Sequence, residues 1–354
     1  MSSVIEIRTS PHVHSGRSVV QIMSNVVYAL LPICAYSVWL FGLSAIALIA
    51  TTTIACLATE HLFCRASGTA SSIGDFSAVI TGLLLGLTLP PAFPLWMAAI
   101  GGFIAIGPAK MLFGGLGFNV FNPALVGRAF LQAAFPVAIE SYTPANAFHR
   151  FTEFIPTTFS IPLIKAAPLT DWIPRVRVDG FTGATPLMLQ KFDRVTTDTW
   201  TLFLGTRAGS AGETSALLIL LCGLYLILRR FMDWRITAAM LSGALLTGAA
   251  FYWADPARYP QPLFILFSGG LMLGAVFMAT DPVASPVTPL GMWIYGLLMG
   301  LITVVIRLKG GLAEGVMYAI LLGNALSPLI GKMTQPRTYG QRARALGGKE
   351  AAAR

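Results

Sequence analysis

Long apolar runs separated by short polar connections dominate this chain. A bilayer core of roughly 30 Å requires about 20 apolar residues per helix, and fewer where a helix is broken. By this criterion the sequence predicts ten membrane spans, five on each side of a polar stretch from Glu140 to about Glu213. The predicted spans are Ile22–Trp39, Ala45–Phe63, Phe76–Leu89, Leu95–Leu112, Pro123–Ile139, Thr214–Leu228, Ile236–Tyr252, Leu263–Thr280, Met292–Ile306 and Leu312–Ile330.

The two groups of five spans show a weak sequence similarity to each other. Both contain a Gly-Leu-rich segment, then a basic residue followed by Gly-Gly-Leu, then an asparagine with a proline shortly after it. The alternative is chance similarity among helices rich in Gly and Leu. The matched segments are residues 82–86 with 270–274, residues 110–116 with 307–312, and Asn122 with Asn324.

These repeats predict the organisation of the whole chain. Because each half contains an odd number of spans, the second copy must be inverted in the membrane. Inverted repeats with Gly- or Pro-broken spans place their binding sites near the bilayer midplane, between the halves. The predicted fold is therefore an all-α bundle with a membrane repeat at 1–139, a loop at 140–213, a second repeat at 214–331 and a basic tail at 332–354.

Composition and charge agree with a membrane protein. Hydrophobic residues form 55% of the 354 positions and charged residues only 11%, whereas a soluble domain carries about 25% charge. The net charge of +9 suggests nucleic acid, but no basic patch is interleaved with aromatic residues. We therefore interpret the charge as membrane topology and predict no nucleic-acid partner.

The basic residues also predict orientation, since cytoplasmic loops are enriched in Lys and Arg. A cytoplasmic N-terminus places most of the basic residues beside spans on that side, together with the C-terminal tail. The loop at 140–213 then lies outside the cytoplasm, on the periplasmic side of a bacterial inner membrane. The tail could also contact anionic lipid. The residues assigned to cytoplasmic loops are Arg8, Arg17, Arg65, Lys110, Arg229, Arg230 and Arg235, whereas Arg258, Arg307 and Lys309 fall in loops on the other side.

The cysteines and histidines predict no metal centre built by this chain alone. None of the four cysteines forms a Cys-x-x-Cys pair, and most lie inside apolar runs, where cysteine is typically a packed apolar residue. The four histidines form no ligand spacing. The chain also lacks a Gly-x-Gly-x-x-Gly motif after a strand, so we expect NADH to bind elsewhere.

One short segment of the loop carries candidate chemistry. Residues 179–185 read Asp-Gly-Phe-Thr-Gly-Ala-Thr, and the two glycines permit tight or left-handed backbone. Pro186 biases Thr185 toward an extended conformation. A short, exposed, flexible segment of this kind suits modification by another enzyme, although composition alone favours an ordinary loop.

This segment matches the pattern Asp-x-x-Ser/Thr-Gly-Ala-Thr, at which flavin transferases join FMN to threonine. The rest of the chain resembles the RnfD/NqrB family of membrane subunits in ion-translocating electron-transport complexes. The length and the C-terminal motif favour the Rnf branch of that family, with an NqrB-like subunit as the alternative. The resemblance rests on Asp179, Thr182, Gly183, Ala184 and Thr185, and on residues 10–12, 113–117, 119, 121–124, 279–283 and 336–340.

The resemblance implies a function and several cofactors. Thr185 would carry FMN as a phosphoester, attached by a flavin transferase. The complex would couple electron transfer between NADH and ferredoxin to movement of Na⁺ or H⁺. Its other members would include a second FMN-carrying subunit and iron–sulfur subunits. The relation to NqrB implies a second, non-covalent flavin such as riboflavin between the repeats.

Several polar residues within the spans are further candidates. Asp281 ends an apolar span, and an acid at that depth is a functional candidate for an ion path. Three nearby prolines prevent a continuous helix, so the alternative is a capped re-entrant turn. Asn122 and Arg128 are candidates for flavin binding. Arg128 should pair with an acid, a carbonyl or a flavin group unless it extends to the interface.

The sequence alone leaves two further function classes open. Urea-transporter-like channels also contain two inverted five-helix repeats, and fold does not fix function. In a channel, Thr185 would be unmodified, and the regions around Asn122 and Asp281 would line a solute path. The third class is a scaffold for other subunits, in which replacing Thr185 leaves electron transfer intact.

Overall fold

The computed structural model describes residues 18–162, 184–213 and 215–336. These residues form helices and irregular connections without a strand, which confirms the predicted all-α class. The first half contains α1 (Val19–Phe41), α2 (Leu43–Ala66), α3 (Ser77–Thr88), α4 (Leu95–Ile106), α5 (Pro123–Ala134) and the short α6 (Pro136–Ile139).

The connecting stretch contributes two short helices, α7 (Pro186–Met188), which continues as a π-helix over Leu189–Asp193, and α8 (Thr199–Leu204). In the second half, the third predicted span is broken into α11, α12 and a π-helix over Gly274–Met278. The helices of this half are α9 (Ala216–Leu228), α10 (Trp234–Ala254), α11 (Pro262–Phe267), α12 (Leu271–Leu273), α13 (Pro289–Lys309) and α14 (Val316–Met333).

Six helical segments in the described part are long and apolar enough to cross a membrane. Two shorter apolar helices, α3 and α9, lie at other predicted spans. The break between α11 and α12 coincides with Gly269, whose φ of +63° favours glycine. Residues 281–288 form an irregular connection with a turn at 282–284, and α13 begins at Pro289, as the three prolines predicted. The long segments are Val19–Phe41, Leu43–Ala66, Leu95–Phe113, Trp234–Ala254, Pro289–Lys309 and Val316–Met333.

The two halves pack their helices in the same order. In the first half α2 contacts α3 and α4, and α4 contacts α5; in the second half α10 contacts α11 and α13, and α13 contacts α14. The shared pattern favours a repeat over chance similarity. The inversion and the side of each loop stay predictions.

Small residues allow the helices of each half to approach closely. A Cβ on Gly102 of α4 would lie 2.9 Å from Cβ of Ala55 on α2. In the second half, a Cβ on Gly243 of α10 would lie 2.7 Å from the carbonyl oxygen of Leu297 on α13. Small residues at such contacts are typical of helix packing in membranes.

Asparagine residues take part in several contacts that join the halves. The Tyr225 hydroxyl of α9 donates a hydrogen bond to Asn25 Oδ1 of α1 at 2.8 Å. With its amide in the better-satisfied orientation, Asn324 Oδ1 of α14 accepts from the backbone N–H of Asn122 at 3.0 Å. The two asparagines matched between the repeats therefore meet where α5 begins against α14.

Candidate functional site

Thr185 lies at the N-terminus of α7, with the extended backbone that Pro186 predicted (φ −75°, ψ 159°). Its Oγ1 accepts a hydrogen bond from the Met188 N–H at 3.3 Å. The prediction of an exposed segment is wrong at this residue, because Thr185 is only 9% exposed. Tertiary packing buries it, because the side chain forms part of a cavity wall between the two halves.

That cavity contains about 750 Å³ of empty space, including its mouth. We call it the attachment cavity. Arg128 of α5 lies in its wall, together with Glu213 and Glu314, which precede α9 and α14. Leu187, Leu202 and Phe267 provide an apolar part of the wall, and Arg207, Tyr142, Glu140 and Gln132 add to its polar part. The sequence placed Arg128 inside a span and named no single partner for it. In the structure its side chain lines the attachment cavity, as Thr185 does.

Arg128 pairs with two carboxylates. Its Nη2 lies 2.7 Å from Glu314 Oε2, and its Nη1 lies 3.4 Å from Glu213 Oε1. On the other side, Arg307 Nη2 lies 3.9 Å from Glu314 Oε1. Arg128, Glu213, Glu314 and Arg307 form what we call the four-charge cluster. Of the partners predicted for Arg128, an acid, a carbonyl or a flavin group, the structure shows acids.

Local backbone features position the cluster. Asn122 caps α5, since its Oδ1 accepts from the N–H groups of Ala124 and Leu125 at 3.1 and 3.3 Å. Such capping fixes where a helix starts, and it sets the direction in which α5 carries Arg128. Glu213 is held by its neighbour Gly212, whose N–H donates to the Leu87 carbonyl at 2.6 Å.

Gly270 makes room for the two carboxylates. Its N–H donates to Glu314 Oε1 at 2.5 Å. A Cβ at this position would lie 2.8 Å from both Glu213 Oε1 and Glu314 Oε1. Any larger residue would therefore push the carboxylates away from Arg128. The sequence comparison of residues 82–86 with 270–274 gave no hint of this role.

Burial and neighbouring charges shift the pKa values of the two carboxyl groups in opposite directions. Burial, with a further contribution from Glu314, raises the pKa of Glu213 to about 7 although Arg128 opposes the change. Burial acts on Glu314 in the same direction, but Arg128 and Arg307 hold the pKa of Glu314 below its usual value. Glu314 is thus the fixed anion of the cluster, and Glu213 is the group that can change its protonation near neutral pH.

The residues of the attachment cavity fit a phosphate-linked ring system. Arg128 is mostly buried, and its Nε has no hydrogen-bond partner among the described residues. Arginine is the preferred partner of phosphate, and Arg207 adds a second cation to the wall. The apolar part of the wall suits the face of an aromatic ring. Thr185 Oγ1, Arg128 and Arg207 are the groups that could hold a phosphoester here.

A second cavity, with about 810 Å³ of empty space including its opening, lies between α1, α3, α9 and the start of α5. We call it the inter-repeat cavity. Its polar residues include Asn119, Asn122, Lys110 and Asp281 together with three hydroxyl residues, and the remainder is mostly apolar. Asn122 Nδ2 donates to the Met278 carbonyl at 3.3 Å, so the two halves are joined at its edge. The structure therefore brings Asn122 and Asp281 together, and it separates both from Thr185's cavity.

Asp281 also has a structural role. Its Oδ1 accepts from the Val283 N–H at 3.1 Å, and its carbonyl accepts from the Ser285 N–H at 3.1 Å. These contacts match the alternative interpretation, a capped turn. Because the same residue lines the inter-repeat cavity, the two interpretations are compatible.

Sequence reasoning missed a buried ion pair beside this cavity. Lys110 Nζ lies 2.8 Å from Glu60 Oε2 and donates to Ser77 Oγ at 2.6 Å. Glu60 is 0% exposed. An acid near the end of the predicted span Ala45–Phe63 was the available signal. Asp75 caps α3 by accepting from the Ser77 N–H at 2.8 Å.

Two of the basic residues assigned to loops are buried. Lys110 is 2% exposed and Arg307 is 3% exposed, and Arg307 lies within the last turn of α13. Each is buried because an acid of the same half binds it, Glu60 for Lys110 and Glu314 for Arg307. Neither residue can serve as a solvent-exposed topology signal.

Three residues of the attachment pattern, Asp179, Thr182 and Gly183, lie outside the described residues. Ala184, beside Thr185, is half-buried. The connecting stretch is anchored downstream by Lys191, whose Nζ donates to the carbonyls of Gly310 and Leu312, both at 2.6 Å. This anchor attaches the Thr185 segment to the α13–α14 connection.

Replacing Lys191 with methionine should loosen the segment around Thr185. The two charge-assisted hydrogen bonds are each worth about 1.5–3 kcal/mol, and methionine retains the bulk without the donors. Amides of residues 186–193 should exchange hydrogen faster in the variant than in the native protein. Arg194→Met, which removes an exposed neighbouring charge, is the control; similar exchange in both variants would contradict the anchor.

The fold and its cavities define a polytopic, all-α membrane protein with buried ion clusters beside two cavities. A model of the NQR2, RnfD, RnfE family matches residues 6–340. The chain belongs to this family.

Three relatives illustrate the similarity. The D-subunit of the proton-translocating ferredoxin:NAD(+) oxidoreductase complex of Clostridium ljungdahlii is 40% identical over 340 residues, covering 96% of this chain and 97% of that protein. The D-subunit of the Na(+)-translocating ferredoxin:NAD(+) oxidoreductase complex of Acetobacterium woodii is 39% identical, with 95% of each covered. The D-subunit of the ion-translocating oxidoreductase complex of Alcanivorax borkumensis is 39% identical, covering 94% and 96%.

Proposed function

We propose that this chain is the flavin-carrying membrane subunit of an Rnf-type complex. The complex couples electron transfer between NADH and ferredoxin to the movement of Na⁺ or H⁺ across the membrane. The family membership and the names of the full-length relatives support this class of function. The observation that carries the flavin assignment is Thr185, which ends an attachment pattern and opens on a cavity with Arg128 in its wall.

FMN esterified to Thr185 would supply reversible electron transfer. The chain's own residues would hold and surround it. Thr185 Oγ1 would be the ester oxygen, Arg207 would offset the phosphate charge, and the unpartnered Nε of Arg128 would donate a hydrogen bond to the phosphate. Leu187, Leu202 and Phe267 would exclude water from part of the cavity. Asp179, Thr182, Gly183 and Ala184 would serve the flavin transferase that recognises the segment.

The inter-repeat cavity is the proposed place for a second, non-covalent flavin such as riboflavin. Asn119 and Asn122 offer amide groups for hydrogen bonds at its wall, and the apolar residues offer a surface for a ring. Its place beside α5, between the halves, agrees with the midplane sites of inverted repeats.

The proposed partners follow from the class of complex. They are the other Rnf membrane and peripheral subunits, among them a second FMN-carrying subunit and iron–sulfur subunits. The proposed location is the bacterial inner membrane, with both termini cytoplasmic and the Thr185 loop periplasmic. The basic tail after Lys332 would contact lipid.

Asp281 is the proposed ion-path residue. Replacing it with asparagine should lower ion-coupled transport about 5- to 150-fold, the usual range for coupling between two sites, with a smaller effect on flavin content. Transport is measured as ion uptake by inverted vesicles supplied with reduced ferredoxin and NAD⁺. Asp255→Asn, an exposed acid, is the control. Unchanged uptake in the Asp281 variant would remove this residue from the ion path.

The function itself is tested in cells that lack the gene for this chain. Their membranes should lose ferredoxin-dependent NAD⁺ reduction and the accompanying ion uptake, and the native gene should restore both. Restored solute permeation without electron transfer would instead support a channel.

A further inference from the structure

The four-charge cluster is neutral when every member is ionised. Arg128 and Arg307 contribute two positive charges, and Glu213 and Glu314 contribute two negative charges. Electrons delivered to a cofactor in the attachment cavity would bring negative charge beside a buried cluster that has no spare positive charge. A buried charge without compensation is costly, so we expect a proton to bind at the cluster when the electrons arrive.

Glu213 is placed to accept that proton. It lines the attachment cavity with Thr185, and its Arg128 contact, at 3.4 Å, is longer than the 2.7 Å contact of Glu314. Glu314 also binds the Gly270 N–H and lies near Arg307. The weaker-held carboxylate of a close pair is the one that takes up a proton first.

The other charged and titratable groups around Glu213 do not replace it. Arg128 comes from α5, and Arg307 and Glu314 come from the α13–α14 region. Tyr142 and Glu140 follow α6, and Glu140 is exposed to solvent. Arg207 lies on the connecting stretch. Glu213 is the acid that is buried, lines the cavity and is held by the longer of the two contacts to Arg128.

We propose that Glu213 is the redox-linked proton acceptor of the attachment cavity and binds one proton when the cofactor on Thr185 is reduced. This inference rests on the proposed function. The two electrons come from the neighbouring redox subunit of the complex, and the proton comes from water at the mouth of the cavity. One O–H bond forms on Glu213, and no other bond of the chain changes. Oxidation of the cofactor returns the proton to water.

The test is the pH dependence of the midpoint potential of the Thr185-linked cofactor in the purified complex. One extra proton per two electrons changes the equilibrium tenfold per pH unit, which corresponds to about 29.6 mV per pH unit. Because burial raises the pKa of Glu213 to about 7 in the resting cluster, the added slope should begin near that pH. Above it, the native potential should fall more steeply with pH than that of Glu213→Gln, by up to about 29.6 mV per pH unit.

Glu140→Gln is the matched control, since Glu140 lines the same cavity but is exposed. It should retain the native slope. As a second measurement on the native complex, infrared difference spectra should show a protonated carboxyl band that appears on reduction. This measurement holds even where Glu213→Gln fails to assemble.

The outcomes distinguish the two proposals. A loaded Thr185 with equal slopes in native and Glu213→Gln proteins, or with no carboxyl band on reduction, overturns the role of Glu213 alone. A chain without any cofactor on Thr185 overturns the flavin assignment and this inference together. A difference in slope with the control unchanged supports both.

Discussion

Replacing Thr185 with alanine is expected to remove all covalently bound flavin from the chain while the protein still inserts into the membrane. Alanine has no hydroxyl to form the phosphoester. The bundle should survive, because loss of a helix cap costs about 0.5–2 kcal/mol and α7 is a short helix outside the ten spans. In-gel fluorescence of the denatured chain measures the attached flavin, and membrane fractionation measures insertion.

Two further substitutions separate attachment from capping. Asparagine is a good helix cap but cannot form a phosphoester, so Thr185→Asn should also be non-fluorescent with native-like stability. Thr185→Ser keeps both the cap and a hydroxyl that can form a phosphoester. It is therefore the variant of the three expected to retain some covalent flavin. Ferredoxin-dependent NAD⁺ reduction should be lost in the alanine and asparagine variants; full activity in either would favour a scaffold.

Replacing Arg128 with methionine is expected to cause the largest loss of stability among single changes at the site. Glu213 and Glu314 would lose their shared counter-charge, and removing one partner of a buried ion pair costs about 3–5 kcal/mol. Thermal unfolding of the detergent-solubilised protein measures this loss. The double variant Arg128→Met/Glu314→Gln should recover part of it, since it leaves one fewer uncompensated charge.

Arg235→Met provides the control for this measurement. Arg235 Nη1 lies 3.3 Å from Asp233 Oδ2, but the two side chains are 38% and 32% exposed. Exposed pairs contribute about 0.2–1 kcal/mol, so this substitution should change the unfolding temperature little. Equal losses in the two arginine variants would contradict the burial of the four-charge cluster.

The span pattern could be predicted from sequence because membrane insertion depends on local composition. Each predicted span has a helix in the structure, with boundaries that differ by several residues. The irregular segment after the third span of the second half was signalled by three prolines, which act through their own backbone, whereas the break within that span at Gly269 was not predicted. The extended conformation of Thr185 is another local effect, due to Pro186.

The ion clusters could not be predicted, because they depend on contacts between distant parts of the chain. Arg128 and Glu314 are separated by 186 positions, and Lys110 and Glu60 by 50. Lys110 and Arg307 look like ordinary loop charges in the sequence, and only packing shows that an acid buries each of them. The match between Asn122 and Asn324 came from the repeat, but their contact became apparent only in the structure.

The most direct test of the flavin assignment is mass spectrometry of the tryptic peptide spanning residues 178–191, which contains both Thr182 and Thr185. We predict a peptide heavier by the mass of FMN less one water, with fragment ions that place the addition on Thr185. An unmodified peptide from cells that express the flavin transferase, or an addition on Thr182, would contradict the assignment.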